Sequence, residues 1–372
     1  MKKIKVAYII STLESCGPVN ILFNLVKYLD KTKYEPLIIT LSPEQHNSRI
    51  ADFKRIAIPV HSLNLSRIQG ILLAKNKIKK LIAENEIEIV HGQSFRADQL
   101  IASLKGVKKA TTLHNYPYLD FPMTYGRIQG YLMATQHYRS IRKLDCPVAC
   151  SKSVANFFKK NQNYPMIAIQ NGVDLDNFKV VMEEEKHELR KKLELPLNKT
   201  IFLVIGTLTQ RKDPLTVIEA FKRRNVKDEL LIFLGSGDLE EECQKLGNSR
   251  NILFLGQVKN VAEYLQASDI YLSAALAEGL PNTVLEALAC GIPSILSGIL
   301  PHKEILAYDR SLENYLFEAE DTEDLNKKIG SLLASDLPLI SAKSRKLIEE
   351  NLSASVMASN YESVYKQLMG VV

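Results

Sequence analysis

Short apolar, β-branched runs alternate with longer stretches of helical periodicity along almost the whole chain, and the series occurs twice. The first holds strand candidates at Ile4–Ile10, Pro36–Leu41, Ile87–Val90, Ala110–Leu113, Pro147–Cys150 and Met166–Ile169. The second holds Ile201–Ile205, Leu230–Leu234, Ile252–Leu255, Ile270–Ser273 and Ser294–Ser297. Strand–helix–strand alternation of this kind gives parallel sheets covered by helices on both faces. A polar break near residues 180–195, with eight charged residues from Glu183 to Lys192, separates the two series. The sequence therefore predicts an α/β chain of two doubly wound, Rossmann-like domains, residues 1–178 and 179–355. A C-terminal helix over 356–372 is expected to pack back on the first domain, and the tail from Ala342 to Met369 reads as helix. A length of 372 residues suits two domains of ordinary size. Ligands of such sheets bind beyond the carboxyl ends of the strands, which predicts a site in a cleft between the domains.

The balance of 46% apolar and 24% charged residues is that of a globular protein with real cores. Five cysteines form no Cys-x-x-Cys pair and read as reduced thiols. The opening Met-Lys-Lys-Ile-Lys-Val-Ala-Tyr-Ile-Ile has too short an apolar run for a signal peptide and reads as a first buried strand. No stretch approaches the ~20 apolar residues of a membrane span. The expected location is cytoplasmic, with contact on the inner face of the cell membrane. Net charge is +6, but residues 1–180 carry 26 Lys and Arg against 13 Asp and Glu, and the remainder is acidic. A basic first half suits anionic lipid or a phosphorylated substrate.

The segment Glu278-Gly-Leu-Pro-Asn-Thr-Val-Leu-Glu286 follows the Ile270–Ser273 strand. Gly279 and Pro281 mark a turn, Asn282 suits a cap, and the helix is expected to stop at Gly291 with Pro293 beyond. In continuous helix the two glutamates would be rotated about 80° apart. With Glu278 in the preceding turn and Glu286 within the helix, both can face one site at the helix's N-terminal end, where the dipole favours phosphate. For Glu286 a solvated helix face is an equal reading. Gly206-Thr-Leu-Thr-Gln-Arg211-Lys212 follows the Ile201–Ile205 strand, and a Gly turn followed by two cations suits a diphosphate clamp, with a solvated surface pair as the alternative. Gly235-Ser-Gly237 is a second turn of this type but not a full dinucleotide loop. In the first half, Cys16-Gly17-Pro18, His91 and His114 follow strands at the same expected sheet edge. Asp174-Leu-Asp176 is an isolated Asp-x-Asp with no supporting carboxylates, so no metal site is expected from it. The sequence has no P-loop, no Gly-x-Ser-x-Gly elbow and no His-Glu-x-x-His helix, which argues against a P-loop ATPase, an α/β-hydrolase and a zinc protease.

Taken in order, these segments resemble the GT4 family of retaining glycosyltransferases, which share the two-Rossmann GT-B fold. The likeness spans almost the full length. It rests on the early Gly turn, His114, Ala149-Cys150-Ser151, Asn171-Gly-Val-Asp174, Gly206…Arg211-Lys212, Gly235-Ser-Gly237, Gly256-Gln-Val258, Ser268-Asp269 and above all Glu278-x7-Glu286. The resemblance implies that the second domain holds a nucleotide-sugar donor, with Glu278 on sugar hydroxyls and Glu286 on the ribose. Backbone from Gly279 through Leu280, Pro281 and Asn282 to Thr283, with Arg211 and Lys212, would hold the diphosphate. Gly206 and Gly235 would shape the turns, and the strand end at Gln257-Val258 would line the base. Gly17 would approach the phosphates and His114 the transferring sugar. The implied chemistry is front-face substitution at the anomeric carbon, with no cofactor and no metal. Two positions depart from the family pattern. Cys16-Gly17 stands where relatives often have Gly-Gly, and Thr207 where many carry Arg.

The expected partners are the nucleotide-sugar, with UDP favoured, and a glycan or lipid-diphosphate-linked acceptor of polysaccharide assembly. Nucleic acid is not among them. The acceptor is expected on the basic first domain. There Ile71–Ala83, with Leu72, Lys75, Lys79 and Ile82 at helical spacing, reads equally as a patch for an anionic membrane or as a solvated helix face. Two other classes stand beside the transferase: a nucleotide-sugar 2-epimerase on the same fold, and a non-catalytic partner subunit that keeps only the fold.

Overall fold

The computed structural model describes residues 2–224 and 226–371. The chain forms two compact units: the first runs to Gly172 and is rejoined by the chain from Ala354, and the second spans Val173–Ser353. In the first, strands β1 (Ile4–Ile10), β2 (Tyr34–Thr40), β3 (Val60–Ser62), β4 (Ile89–Gly92), β5 (Lys108–Leu113), β6 (Cys146–Ala149) and β7 (Ile167–Ala168) make one parallel sheet. Its order is β3-β2-β1-β4-β5-β6-β7. In the second, β8 (Thr200–Ile205), β9 (Glu229–Leu234), β10 (Ile252–Phe254), β11 (Ile270–Ser273), β12 (Ser294–Ser297) and β13 (Leu316–Phe317) pair in the order β10-β9-β8-β11-β12-β13, again parallel.

The apolar run Val6–Ile10 of β1 has a direct cause. Val6, Tyr8 and Ile10 enter one core while Ala7 and Ile9 enter another on the opposite face, so both faces of the strand are covered. Every expected strand is present, with ends shifted by a few residues. The edge strands β3 and β13 have no counterpart in the sequence reading. They are three and two residues long, and His61 and Ser62 of β3 are exposed, so neither carries an apolar run.

The tail is not one helix. It is Leu337–Asn351 followed by Ala354–Met369, broken at Leu352-Ser353. The Val173 N–H donates to the Leu352 carbonyl at 3.0 Å, so the break is held where the chain changes units. Helix Leu337–Asn351 packs on helix Asn282–Ala289 in the second unit, whereas Met357, Ala358, Tyr361, Val364 and Tyr365 are part of the first unit's core.

Candidate active site

In each sheet the chain starts in the middle and winds outward both ways, and the two senses separate at one pair of strands. For the second sheet that switch point lies between β8 and β11, where an open α/β sheet leaves a crevice beyond its strand ends. The turn after β8 carries Gly206, Arg211 and Lys212; the turn after β11 carries Glu278. The two turns are tied together, the Leu276 N–H donating to the Arg211 carbonyl at 2.8 Å. On its other side the β8 turn is approached closely by the turn after β9, which glycines allow. A Cβ on Gly235 would fall 2.0 Å from the Gly206 carbonyl oxygen, and one on Gly237 would fall 2.5 Å from the Leu208 carbonyl oxygen. Gly206 and Gly235 also have φ values of +155° and +137°, which side chains rarely adopt.

Arg211 Nη1 donates to Glu278 Oε2 at 2.9 Å and to the Ala277 carbonyl at 2.8 Å, and the Lys212 ammonium donates to Glu278 Oε1. The Glu278 side chain is 9% exposed and those of Lys212 and Arg211 are 20% and 30% exposed, so the cations border solvent and the carboxylate lies beneath. Burial by itself would raise the Glu278 carboxyl, but Lys212 and Arg211 outweigh it and hold the group below its ordinary value. Two positive charges share one negative one, which leaves a net cation at the mouth of the switch point. The solvated-pair reading of Arg211 and Lys212 is set aside by this geometry.

Helix Asn282–Ala289 begins directly after this turn. Asn282 is its first residue and Pro281 takes the cap position, so the cap lies one residue earlier than expected. The positive end of the dipole therefore faces the same edge. Gly291, with φ +71°, ends the helix as expected. Glu286 is buried, which excludes the solvated-face reading. Both carboxylates reach Tyr271: burial holds its phenol well above the usual range, and Glu278 and Glu286 add to the rise. Its hydroxyl donates to Thr283 Oγ1 at 2.9 Å.

Val258 is placed differently from expectation. Strand β10 ends at Phe254, so Gln257-Val258 lie in the following loop, with Val258 half-buried and Gln257 Nε2 donating to Ser236 Oγ at 3.1 Å. The sequence reading missed His302. It is fully buried two turns of chain beyond β12, and its Nδ1 donates to the Ser297 carbonyl at 2.8 Å while Nε2 has no protein partner. Burial pushes its pKa down to about 4, with Glu278 and Lys212 close enough to act on it. His302 does not follow its strand directly, as His114 does, but lies in the helix Leu300–Leu306 after β12, so the strand-end rule alone would not have found it.

In the first unit the switch point lies between β1 and β4. Gly17 is the first residue of helix Gly17–Tyr28 after β1, and Gln93 follows β4. His114 follows β5, and its Nε2 meets Gln93 Oε1 at 3.1 Å; the buried Gln93 Nε2 has no protein partner. Burial pushes the His114 pKa down to about 4, leaving it neutral near pH 7. His91 is a core residue instead. It lies between Tyr365 Oη at 2.7 Å and Thr112 Oγ1 at 2.9 Å and is pushed down to about 3 by burial. Asp174 is buried and accepts the Asp176 N–H at 3.1 Å, a local turn. Among the described residues no group of three His, Cys, Asp or Glu is placed to hold a metal ion.

Residues 185–352 match the family described as glycosyl transferases group 1, and residues 16–177 match glycosyltransferase family 4. Over 98% of both chains the protein is 25% identical to the O-antigen biosynthesis glycosyltransferase WclY of Escherichia coli. It is also 25% identical to the UDP-Gal:alpha-D-GlcNAc-diphosphoundecaprenol alpha-1,3-galactosyltransferase of Escherichia coli, over 72% of this chain and 71% of that one. Among solved structures, Anabaena HepE in complex with UDP and glucose superposes with a TM-score of 0.82 at 15% identity, over 98% of this chain and all of that one. That likeness shows the GT-B architecture of two parallel-sheet Rossmann-like units. With a family match over each unit and a switch-point site of two cations on one carboxylate, the chain belongs to the GT4-type, group 1 glycosyltransferases.

Proposed function

We propose that this glycosyltransferase is a retaining enzyme that moves a sugar from a UDP-sugar to a lipid-diphosphate-linked glycan in the assembly of a surface polysaccharide. The observation that carries the reading is the Glu278 carboxylate held by Arg211 and Lys212 at the switch point of the second sheet. A departing nucleoside diphosphate needs cations fixed in advance where its charge develops, and two donors on a rigid strand-end turn supply that. Glu278, freed in part from the cations as diphosphate takes its place, accepts hydrogen bonds from sugar hydroxyls. Glu286 takes the ribose, and the turn from Gly279 to Thr283 with the helix behind it faces the phosphates. Gly17 and His114 are proposed to act on the same donor, His114 as a neutral imidazole. The acceptor's proton passes to the leaving diphosphate oxygen, so neither a protein nucleophile nor a metal is needed. The donor and acceptor classes are supported by the relatives, one of which is named for UDP-Gal and for a diphosphoundecaprenol-linked sugar.

The test has two parts. A thermal-shift panel of UDP-, GDP-, ADP- and CMP-sugars should show stabilisation by the UDP series, because a ligand that binds only the folded state raises its stability with affinity. Transfer to a polyprenyl-diphosphate-linked sugar, followed by NMR of the new linkage, should show the donor's anomeric configuration kept, at a rate unchanged by EDTA. Inversion at the anomeric carbon would overturn the mechanism. Conversion of UDP-GlcNAc to an epimer in the absence of acceptor would replace the transferase by an epimerase. The Lys212→Ala variant transferring at the wild-type rate would remove the assigned site.

A further inference from the structure

Helix Arg67–Glu84 opens on Arg67-Ile-Gln-Gly-Ile-Leu-Leu-Ala74, and helix Arg127–Ile141 opens on Arg127-Ile-Gln-Gly-Tyr-Leu-Met-Ala134. The two octets agree at every position but the fifth and seventh, and they are buried in the same inverted way. Gly70 and Ala74 in one, and Gly130 and Ala134 in the other, face inward. Gly130 lets two backbones lie close, since a Cβ there would fall 2.4 Å from the Phe121 carbonyl oxygen; Gly70 faces the Arg96 side chain, with Nη2 3.0 Å from where a Cβ would stand. The large apolar residues point away from the protein. Ile71 and Leu72 are 81% and 69% exposed, and Ile128 and Leu132 are 82% and 68% exposed. An amphipathic helix of a soluble fold does the reverse.

Both octets flank one element of the first unit, the helix Phe95–Ile101. Gly70 lies against Arg96 at its start, and the Phe95 ring packs on Phe121 at 5.7 Å and on His137 of the second octet's helix at 5.2 Å. Cations predominate around them. Residues 67–83 and 121–144 contain nine Lys and Arg and no Asp or Glu; Glu84, Asp120 and Asp145 stand just outside these segments, and Lys80 pairs with Glu84 at 3.5 Å. Protruding aliphatic side chains fringed mainly by cations complement a surface that is anionic outside and apolar just beneath, which describes an anionic lipid bilayer.

We propose that the two octets are paired insertion pads that seat the first unit on an anionic membrane. The apolar residues enter the boundary between headgroups and acyl chains, and the cations remain at the phosphates. The proposal deepens the reading of a lipid-linked acceptor and rests on it for its purpose. It favours the membrane reading of Ile71–Ala83 over a solvated helix face, because Ile71 and Leu72 stand exposed together.

The chain contains no tryptophan, so Leu72→Trp and Leu132→Trp each give a single-site reporter. Full-length protein is mixed with phosphatidylcholine vesicles with and without phosphatidylglycerol, at low and high salt. We expect binding to the anionic vesicles, weakened by salt, with a blue shift of both reporters on vesicle addition. The surface variant I71S/L72S/I128S/L132S, checked for an unchanged melting temperature, should bind about tenfold less or weaker still. No binding of the wild type at low salt, or equal binding of the variant, would overturn the proposal. A blue shift that grows with protein concentration in the absence of vesicles would instead make the face an interface between copies of this chain. Transfer assayed separately with a detergent-dispersed acceptor tells the two readings apart. Vesicle binding without transfer sinks the enzymatic reading and leaves the pads, and transfer without vesicle binding does the opposite.

Discussion

At Glu278 a single carboxylate answers two cations; the cations share the turn after β8 and the carboxylate is placed by the turn after β11. Loss of its charge leaves Arg211 and Lys212 close together with no anion between them. For Glu278→Gln, which keeps the shape, we expect transfer to fall about 100-fold or more, the size of effect seen when a preorganised electrostatic partner is lost. Steady-state kinetics with a saturating acceptor measures it. For Glu278→Ala we also expect a stability loss of about 1–3 kcal/mol, reduced from the fully buried case because the cations border solvent. Gly235 is a second single-residue test. An added methyl group must displace the Gly206 carbonyl, 2.0 Å away, in a backbone conformation that alanine avoids. We expect Gly235→Ala to cost more than about 2 kcal/mol in a urea titration and to weaken the donor-induced thermal shift.

The last helix, Ala354–Met369, shows the same economy at the level of an element. Tyr365 Oη meets His91 Nδ1 at 2.7 Å and donates to Tyr8 Oη at 3.0 Å, Tyr361 Oη meets Thr112 Oγ1 at 2.6 Å, and the Tyr34 hydroxyl donates to the Glu362 carbonyl at 3.0 Å. A chain of buried polar groups thus joins the final helix to β1, β2, β4 and β5 of its own unit. Removing one member leaves its neighbours buried without partners, which costs more than the bond itself contributes. We expect Tyr365→Phe to lower stability by about 1–3 kcal/mol, read from the urea midpoint of the first unit's transition. The sequence read as helix from Ala342 to Met369 and did not show the break at Leu352-Ser353. No glycine or proline marks that position, and the break is fixed by tertiary contacts, among them the Val173 bond to the Leu352 carbonyl.

Across the whole molecule, buried neutral histidines make acid the weak side of stability. His91 and His302 are fully buried, with pKa values pushed from 6.5 down to about 3 and about 4 by burial. The unfolded chain binds a proton at each below about pH 6.5, and the folded chain resists protonation until the lower values, so stability falls as pH drops through that window. Each histidine costs up to about 1.4 kcal/mol per pH unit, or about 2 kcal/mol by pH 5. Glu278 acts in the same direction. Its folded pKa is depressed, so its contribution is present above the unfolded value and is lost as pH falls through the folded one. We expect both unfolding transitions to move to lower urea between pH 7.5 and pH 5, one histidine lying in each unit. An unchanged midpoint would mean that these imidazoles are not buried as neutral groups.

Local chemistry determined the parallel-sheet architecture, because a strand covered on both faces is apolar where it is buried, and runs such as Val6–Ile10 and Ile201–Ile205 are. It also placed Gly206, Arg211, Lys212 and Glu278 at strand ends, since Gly turns after such runs are visible in one dimension. Sheet order was not visible there: only the order β10-β9-β8-β11-β12-β13 sets β8 beside β11 and so brings Lys212 to Glu278 across 66 residues. The same holds for what faces inward. The sequence alone does not say which side of Arg67–Ala74 is buried; close helix packing puts Gly70 and Ala74 in the interior and leaves Ile71 and Leu72 outside.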